Sequence, residues 1–363
     1  MSENKKQKGK GKTSLWVKII TGITGVLVLS IIVCGCYVLH LLSLPQRDID
    51  GTPPSTEEAP TTSEEDTSGF EDLPTITEPS TAEQETTTDK TIEVRTEEGV
   101  YNVILLGADK PSGYLTDCMI VVTINQNDNT IKMTSFMRDT LVNIPGKGKN
   151  RLNTAYANGG AKLLYQVFRE SFGIELFGYV LVDYDSLAVV VDALGGVELY
   201  VSESIADFLN NSNYIADEAS RNLIPGETQL LNGWQVVGYC RQRKVGNGHE
   251  ANDFARTQRQ RAVLNTIYEK FRDQSLTQLL GLMEKLLPMV LTDMDSGEMI
   301  EIATKAINGG LGDIEQFRIP ISGTYRDAVY KPAEDSNGMR ILDIDFEPNV
   351  EALHEFIFGA SGE

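Results

Sequence analysis

The sequence predicts an α/β domain carried on the far side of a membrane by a single spanning helix, and three observations predict it. A charge-free stretch of 26 residues, Ile19 to Leu44, follows a lysine-rich start. Behind it comes a run dominated by Thr, Ser, Glu and Pro. From Tyr101 onward, short apolar runs alternate with amphipathic helical patterns.

Residues 1–18 carry Lys5, Lys6, Lys8, Lys10, Lys12 and Lys18 against the single acid Glu3, and form a basic tail. At 1.5 Å per residue, residues 19–44 are long enough to cross a hydrocarbon core of about 30 Å. A signal peptide is the competing reading, but its apolar region is shorter and ends at a small-residue cleavage site. The lysines precede the span, which puts the N-terminus in the cytoplasm and the rest of this single-pass protein outside the cell membrane. Residues 45–98 hold sixteen acids against three bases, and so little apolar surface that a disordered, extended spacer is expected. Residues 99–363 then form the extracellular domain. The net charge of −20 excludes a general nucleic-acid binder. Cys34 and Cys36 fall in the span, which leaves Cys118 and Cys240 outside it, too few for a disulfide scaffold, so the domain must stand on its core.

Within the domain, Val103–Leu106 reads as a buried strand, Cys118–Ile124 as a second, and Ile131, Met133 and Ser135 alternate with Lys132 and Thr134 as a third. The stretch Asn125 to Asn129 is a hairpin loop by composition. If the three strands form a meander, Asp109, Asp117 and Arg138 converge at one edge. An amphipathic helix is expected over Ala161–Phe172, with Leu163, Leu164, Val167 and Phe168 on one face. Ser186–Leu194 reads as a buried helix stopped by Gly195-Gly196 and followed by strand Val197–Val201. Residues 252–272 form a helix on which Asp253, Arg256 and Gln260 fall within about 60° of one another. That face continues into Leu264, Ile267, Tyr268 and Phe271. A face that begins charged and turns apolar suits an inward surface whose first turns line a polar cleft.

Arginines gather in small groups: Arg138, Arg151, Arg241 with Arg243, and Arg256 with Arg259. Guanidinium forks grip phosphate or carboxylate oxygens bidentately and never lose their charge. Asp109 and Asp117 bracket a short loop, and two hard oxygen ligands beside a phosphate site suit Mg²⁺; turn capping is the alternative. The three histidines, His40, His249 and His354, argue against a zinc site or a Ser-His-Asp triad. No Walker-type loop is present.

Taken together, the segments Asn102–Asp109, Thr116–Val121, Ser135–Thr140, Arg151–Gly160, Val191–Val197, Leu231–Arg243 and Asp253–Gln260 resemble the LytR-CpsA-Psr family of cell-wall glycopolymer ligases. The resemblance implies a central mixed β-sheet flanked by helices. It also implies a Mg²⁺-dependent phosphotransferase that moves a glycan-1-phosphate from a polyprenyl-pyrophosphate carrier to a peptidoglycan hydroxyl. Carried over by position, Asp109 and Asp117 become metal ligands, and Asp109 and Arg138 catalytic. Lys110, Arg138, Arg151, Arg241, Arg243, Arg256, Arg259 and Gln260 become pyrophosphate contacts, with Asp253 orienting the arginines. Arg259 lies about 60° off the charged face, at odds with its motif position. Met137 stands where the family usually has proline, Cys118 where it has threonine, Lys110 where arginine is frequent and Arg151 where lysine is common. A hydrolase of the same donor, and a non-catalytic surface protein binding lipid-linked polymer, are the alternatives.

Overall fold

Strands β1 (Gln46–Arg47) and β2 (Thr75–Thr77) precede three long strands, β3 (Val100–Asp109), β4 (Leu115–Asn125) and β5 (Thr130–Phe136). A ribbon of β6 (Leu141–Ile144) and β7 (Gly148–Arg151) leads into helix α1 (Thr154–Phe172), strand β8 (Gly178–Asp183) and helix α2 (Tyr184–Ala193). Next come β9 (Val197–Val201), α3 (Glu203–Asn210), β10 (Glu227–Leu231), α4 (Gly233–Arg241) and α5 (Asp253–Arg272). The last third holds α6 (Leu276–Leu286), β11 (Leu291–Thr292), α7 (Ser296–Asn308), β12 (Glu315–Ile319), β13 (Tyr325–Lys331), β14 (Met339–Ile344) and α8 (Phe346–Phe358). The computed structural model describes residues 43–48, 73–77, 92–109, 113–245, 253–272, 274–308, 314–332 and 338–360. The expected span at 19–44 and the basic tail therefore lie almost wholly outside the described residues. Among those described, no helix is long and apolar enough to cross a membrane.

The central sheet is mixed, in the order β1-β11-β8-β3-β4-β5-β12. Strands β3, β4 and β5 are the expected antiparallel meander. Strand β8 joins parallel to β3, and β12 parallel to β5. The β4–β5 loop closes as its composition predicts: Asn125 Oδ1 accepts the Asn127 N–H at 2.9 Å, and Asn129 takes a positive φ of 57°. Helix α1 starts earlier than the apolar pattern does. Gly159 and Gly160 leave helical geometry inside it, with Gly160 at φ 64°, so the amphipathic stretch from Ala161 is its own segment.

The linker differs from its expected disorder wherever it is described. Gln46-Arg47 pairs with Leu291-Thr292, Thr75–Thr77 pairs with β13, and Arg95 bridges Ile174. The Asp48 carboxylate accepts the Tyr179 hydroxyl at 2.8 Å. A polar segment needs no core of its own when a finished sheet offers an open edge whose backbone groups it can satisfy.

Pairing in register places alternate residues on opposite faces of the sheet. Ile104, Leu106, Met119, Val121 and Phe136 share one face, each 3 % exposed or less. They form one core with Leu164, Phe168 and Phe172 of α1 and Leu353 and Ile357 of α8. The opposite face carries Leu105, Cys118, Ile120, Val122, Val180 and Val182, of which only Ile120 is fully buried. Helix α2 sits beside β3 and β8, and with α3, α4, α5, α6 and β9 it builds a second core of its own. Helices α2 and α4 meet closely: a Cβ at Gly233 would lie 2.1 Å from the Ala188 carbonyl oxygen. The α4 start is fixed by an Asn232–Gln235 capping box, which sets where Arg241 emerges.

Candidate functional site

Arg138 follows the last residues of β5, and the backbone there is tied on both sides. The Met137 N–H donates to the Ile319 carbonyl at 3.0 Å, and Asn153 N–H donates to the Arg138 carbonyl at 3.1 Å. Met137 itself is fully buried. A proline at 137 could not make the first bond, so here a hydrogen bond orders the backbone before Arg138.

The Arg138 side chain, 13 % exposed, meets three carboxylates. Its Nη1 donates to Asp117 Oδ1 at 2.6 Å, and its Nε lies 3.5 Å from both Asp139 Oδ2 and Asp253 Oδ1. Arg256 Nη2 reaches Asp253 Oδ1 at 2.7 Å and donates to the Asp117 carbonyl at 3.3 Å. Arg151 Nη1 lies 3.6 Å from Asp139 Oδ1. Asp117, Arg138, Arg151, Asp253 and Arg256 therefore converge on one buried cluster, and the meander and the α5 face supply its two walls. Tyr184 donates its hydroxyl to Asp117 Oδ2 at 3.2 Å, while the Arg241 guanidinium lies over the Tyr184 ring, 4.7 Å from its centre.

Burial raises the Asp117 pKa, but Arg138, Arg256 and two hydrogen bonds outweigh it, so this carboxyl stays below its ordinary range. Asp139 goes the other way: burial and the Asp253 charge outweigh Arg138 and Arg151, and its pKa is raised. Burial opposes the charge on Arg138, yet Asp139, Asp117 and Asp253 hold it protonated. The ion pairs sit at contact distance without aligned hydrogen bonds at every atom. Arg138 Nε, Arg256 Nε and both oxygens of Asp253 lack a hydrogen-bond partner. Buried polar atoms are nearly always satisfied, so the cluster keeps capacity for a ligand.

Other predicted residues stand apart. Arg243 is exposed beyond the end of α4 and Gln260 is buried on α5. Arg259 points away from the cluster, as its helical angle requires: it donates to the Tyr239 carbonyl at 3.2 Å and to Gln242 Oε1 at 2.7 Å, bracing α4 against α5. Asp109 pairs with Leu115 at the same sheet edge as Asp117, but its side chain and Lys110 lie outside the described residues. Sequence reasoning missed Asp139, although it directly follows Arg138, and Tyr184, for which no sequence signal exists. Cys118 and Cys240 are both free thiols.

Residues 71–340 match the profile of the LytR_cpsA_psr family. The regulatory protein MsrR of Staphylococcus aureus is 28% identical over 269 residues, covering 72% of this chain and 75% of that protein. A polyisoprenyl-teichoic acid–peptidoglycan teichoic acid transferase, TagU of Halalkalibacterium halodurans, is 29% identical over 235 residues, 63% of this chain and 72% of its own. Among solved structures, the family protein YwtF (TagT) with bound octaprenyl pyrophosphate superposes with a TM-score of 0.53 at 22% identity, covering 74% of this chain and 95% of that one. Since the profile spans most of the sequence, the chain belongs to the LytR-CpsA-Psr family.

Proposed function

We propose that this protein is a membrane-anchored phosphotransferase that moves a glycan-1-phosphate from a polyprenyl-pyrophosphate carrier to a hydroxyl of peptidoglycan. The observation that carries this reading is the buried cluster of Arg138, Arg151 and Arg256 beside a sheet face whose apolar residues are half covered. Three guanidiniums, Arg138, Arg151 and Arg256, gather there, and the Nε atoms of Arg138 and Arg256 are buried without a hydrogen-bond partner, so the cluster is poised for an anion. The strip of Leu105, Val122, Val180 and Val182 offers a prenyl chain an apolar surface next to that anion. The transferase TagU and the octaprenyl-pyrophosphate complex of TagT support the donor class.

Phosphoryl transfer asks the protein mainly to position the phosphates and neutralise developing charge. Arg138, braced by three carboxylates, holds a fixed fork toward the phosphates. Arg256 joins the two walls by binding Asp253 and the Asp117 carbonyl. Asp117, ionised at the mouth, together with Asp109 at the same sheet edge, would hold Mg²⁺, which needs only one or two carboxylates besides phosphate and water oxygens. Bound there, the ion would neutralise phosphate charge. Asp109 is our candidate for taking the acceptor's proton. The anchor at residues 19–44 would keep the domain at the outer surface of the cell membrane, where such a donor resides.

The test incubates the full chain in vesicles with a lipid-linked donor and peptidoglycan, with and without Mg²⁺. Glycan on peptidoglycan together with released polyprenyl monophosphate is the expected result. Free glycan phosphate without attachment makes the protein a hydrolase, and intact donor makes it a binding protein.

A further inference from the structure

Behind the charged cluster lies a second group of cations with no acid among them. On α5, Phe254, Thr257 and Arg261 follow at spacings of three and four, which the helical repeat puts on one face. This face turns toward the end of β5, because Thr257 Oγ1 donates to Met137 Sδ at 3.4 Å. The Arg318 guanidinium, on the neighbouring strand β12, lies over the Phe254 ring, 4.5 Å from its centre. Arg318 pairs in register with Ser135, so the two side chains share the sheet face that carries Cys118 and Ile120.

Three donor groups thus gather here, and among the described residues none of them has a carboxylate partner. Arg261 Nη1 and Ser135 Oγ are buried with no hydrogen-bond partner. Arg318 spends its Nε on the Pro320 carbonyl at 3.3 Å. Among the described residues neither arginine has an ion-pair partner, whereas Arg138, Arg151 and Arg256 each have a carboxylate. Burial and the charge of Arg318 both push the Arg261 pKa down, and burial does the same to Arg318. A chain of net charge −20 has acids in plenty, so leaving two half-buried arginines unneutralised costs stability that an anionic ligand would return.

We infer that Arg261, Arg318 and Ser135 form a second oxyanion pocket, which receives the phosphate that stays with the lipid. This rests on the donor class proposed above. Arg261 lies five residues past Arg256, about 7.5 Å further along the helix axis and about 140° around it. Its charge acts on Cys118, which directly follows Asp117 and faces the half-covered apolar strip. A prenyl chain on that strip brings its own phosphate inward of the clamp, and leaves the glycan-side phosphate to Arg138 and Arg256. In the transfer, the acceptor oxygen bonds to the glycan-side phosphorus while the bond from that phosphorus to the bridging oxygen breaks. The electron pair stays on the bridging oxygen, the acceptor's proton passes to a carboxylate, and the lipid phosphate leaves with one more negative charge. Two unneutralised guanidiniums favour a charge that appears only as that bond breaks.

The test uses the full chain in detergent with Arg261→Gln, Arg318→Gln and, as a control, Arg138→Ala. The probes are polyprenyl monophosphate, inorganic phosphate and inorganic pyrophosphate, followed by binding and by thermal unfolding. Both glutamine variants should bind polyprenyl monophosphate about tenfold or more weakly, the loss of one charged contact. Without ligand they should unfold no lower than the wild type, because a like-charge pair has been removed. Arg138→Ala should keep its monophosphate binding and lose pyrophosphate. Unchanged monophosphate affinity in both glutamine variants overturns the pocket, as does a lowered unfolding temperature with affinity intact, which marks a structural role. Wild-type protein that binds inorganic phosphate but no polyprenyl monophosphate overturns the lipid assignment. Transfer activity without monophosphate binding removes the pocket and leaves the function; monophosphate binding without transfer does the reverse.

Discussion

On one face of the central sheet, Ile104, Leu106, Met119, Val121 and Phe136 are sealed under α1 and α8, with Phe136 edge-on to Phe168 and Phe172 at 4.8 Å. On the other, Leu105, Val122, Val180 and Val182 are half exposed, and the strands end in buried charges with unmet hydrogen bonds. The same three strands build both faces, so strand chemistry does not separate them. What differs is whether the covering layer packs onto the sheet. Helices α1 and α8 merge into the sheet's core, while α2 to α6 close a core of their own and leave the sheet strip half covered. Stability is concentrated on the first face and binding capacity on the second.

The largest effect should come from the sealed face. Phe168→Ala removes a fully buried ring and should cost about 3–5 kcal/mol in denaturant unfolding. Leu105→Ala on the open face should cost only about 1 kcal/mol while weakening prenyl-lipid binding. Equal costs at the two positions would break the comparison.

Arg138→Ala comes next, and here the structure sharpens what the sequence implied. Removing this guanidinium should lower turnover roughly 10²- to 10³-fold. It also strands Asp117, Asp139 and Asp253, so stability should fall as well, most at neutral pH, where carboxylates are charged. Arg138→Lys should remain impaired, because an ammonium cannot reproduce the fork.

The opposite shifts of Asp117 and Asp139 predict a pH profile. Asp117, lowered in the fold, contributes stability that is present above the ordinary carboxylate value of about 4 and is lost as pH falls through its native value. Asp139, raised in the fold, contributes stability below about pH 4 that is lost as pH rises through its native value. Asp139→Asn should therefore abolish the loss on the alkaline side and raise the unfolding temperature at pH 7. An unchanged profile would mean that Asp139 is not strained by its charge.

Arg256 and Arg259, three residues apart on α5, show what sequence can and cannot carry. The helical repeat alone separates them, and the structure puts Arg256 in the cluster and Arg259 against Gln242. The meander was legible because its apolar runs are local and its loop is rich in asparagine. Strands β1 and β2 were not, since Gln46-Arg47 and Thr75–Thr77 become strands only through edges offered by Leu291-Thr292 and β13, more than 200 residues away. Asp139 and Arg261 carried no separate signal, because their meaning lies in neighbours from other elements. Arg259→Gln should accordingly cost about 1–3 kcal/mol of stability, the loss of buried bonds to two carbonyls, with little direct effect on donor affinity.

The smallest effect should come from the rim. Tyr184 donates to Asp117 Oδ2 at 3.2 Å while its ring carries Arg241, so two interactions with different physics share one side chain. Tyr184→Phe keeps the ring and removes only the hydroxyl. The Asp117 carboxylate then loses one of several groups that hold it ionised, and its pKa should rise without reaching the neutral range, because Arg138 and Arg256 remain. One such bond is worth about 1 kcal/mol, so turnover at neutral pH should fall only a few fold, with the acid limb of the pH–rate profile moved upward. Tyr184→Ala should do more, since it also strips Arg241 of its aromatic support, a contact worth about 0.5–2 kcal/mol. If the phenylalanine variant loses as much as the alanine variant, the hydroxyl contacts the substrate, and the rim belongs to the charged cluster as much as Arg138 does.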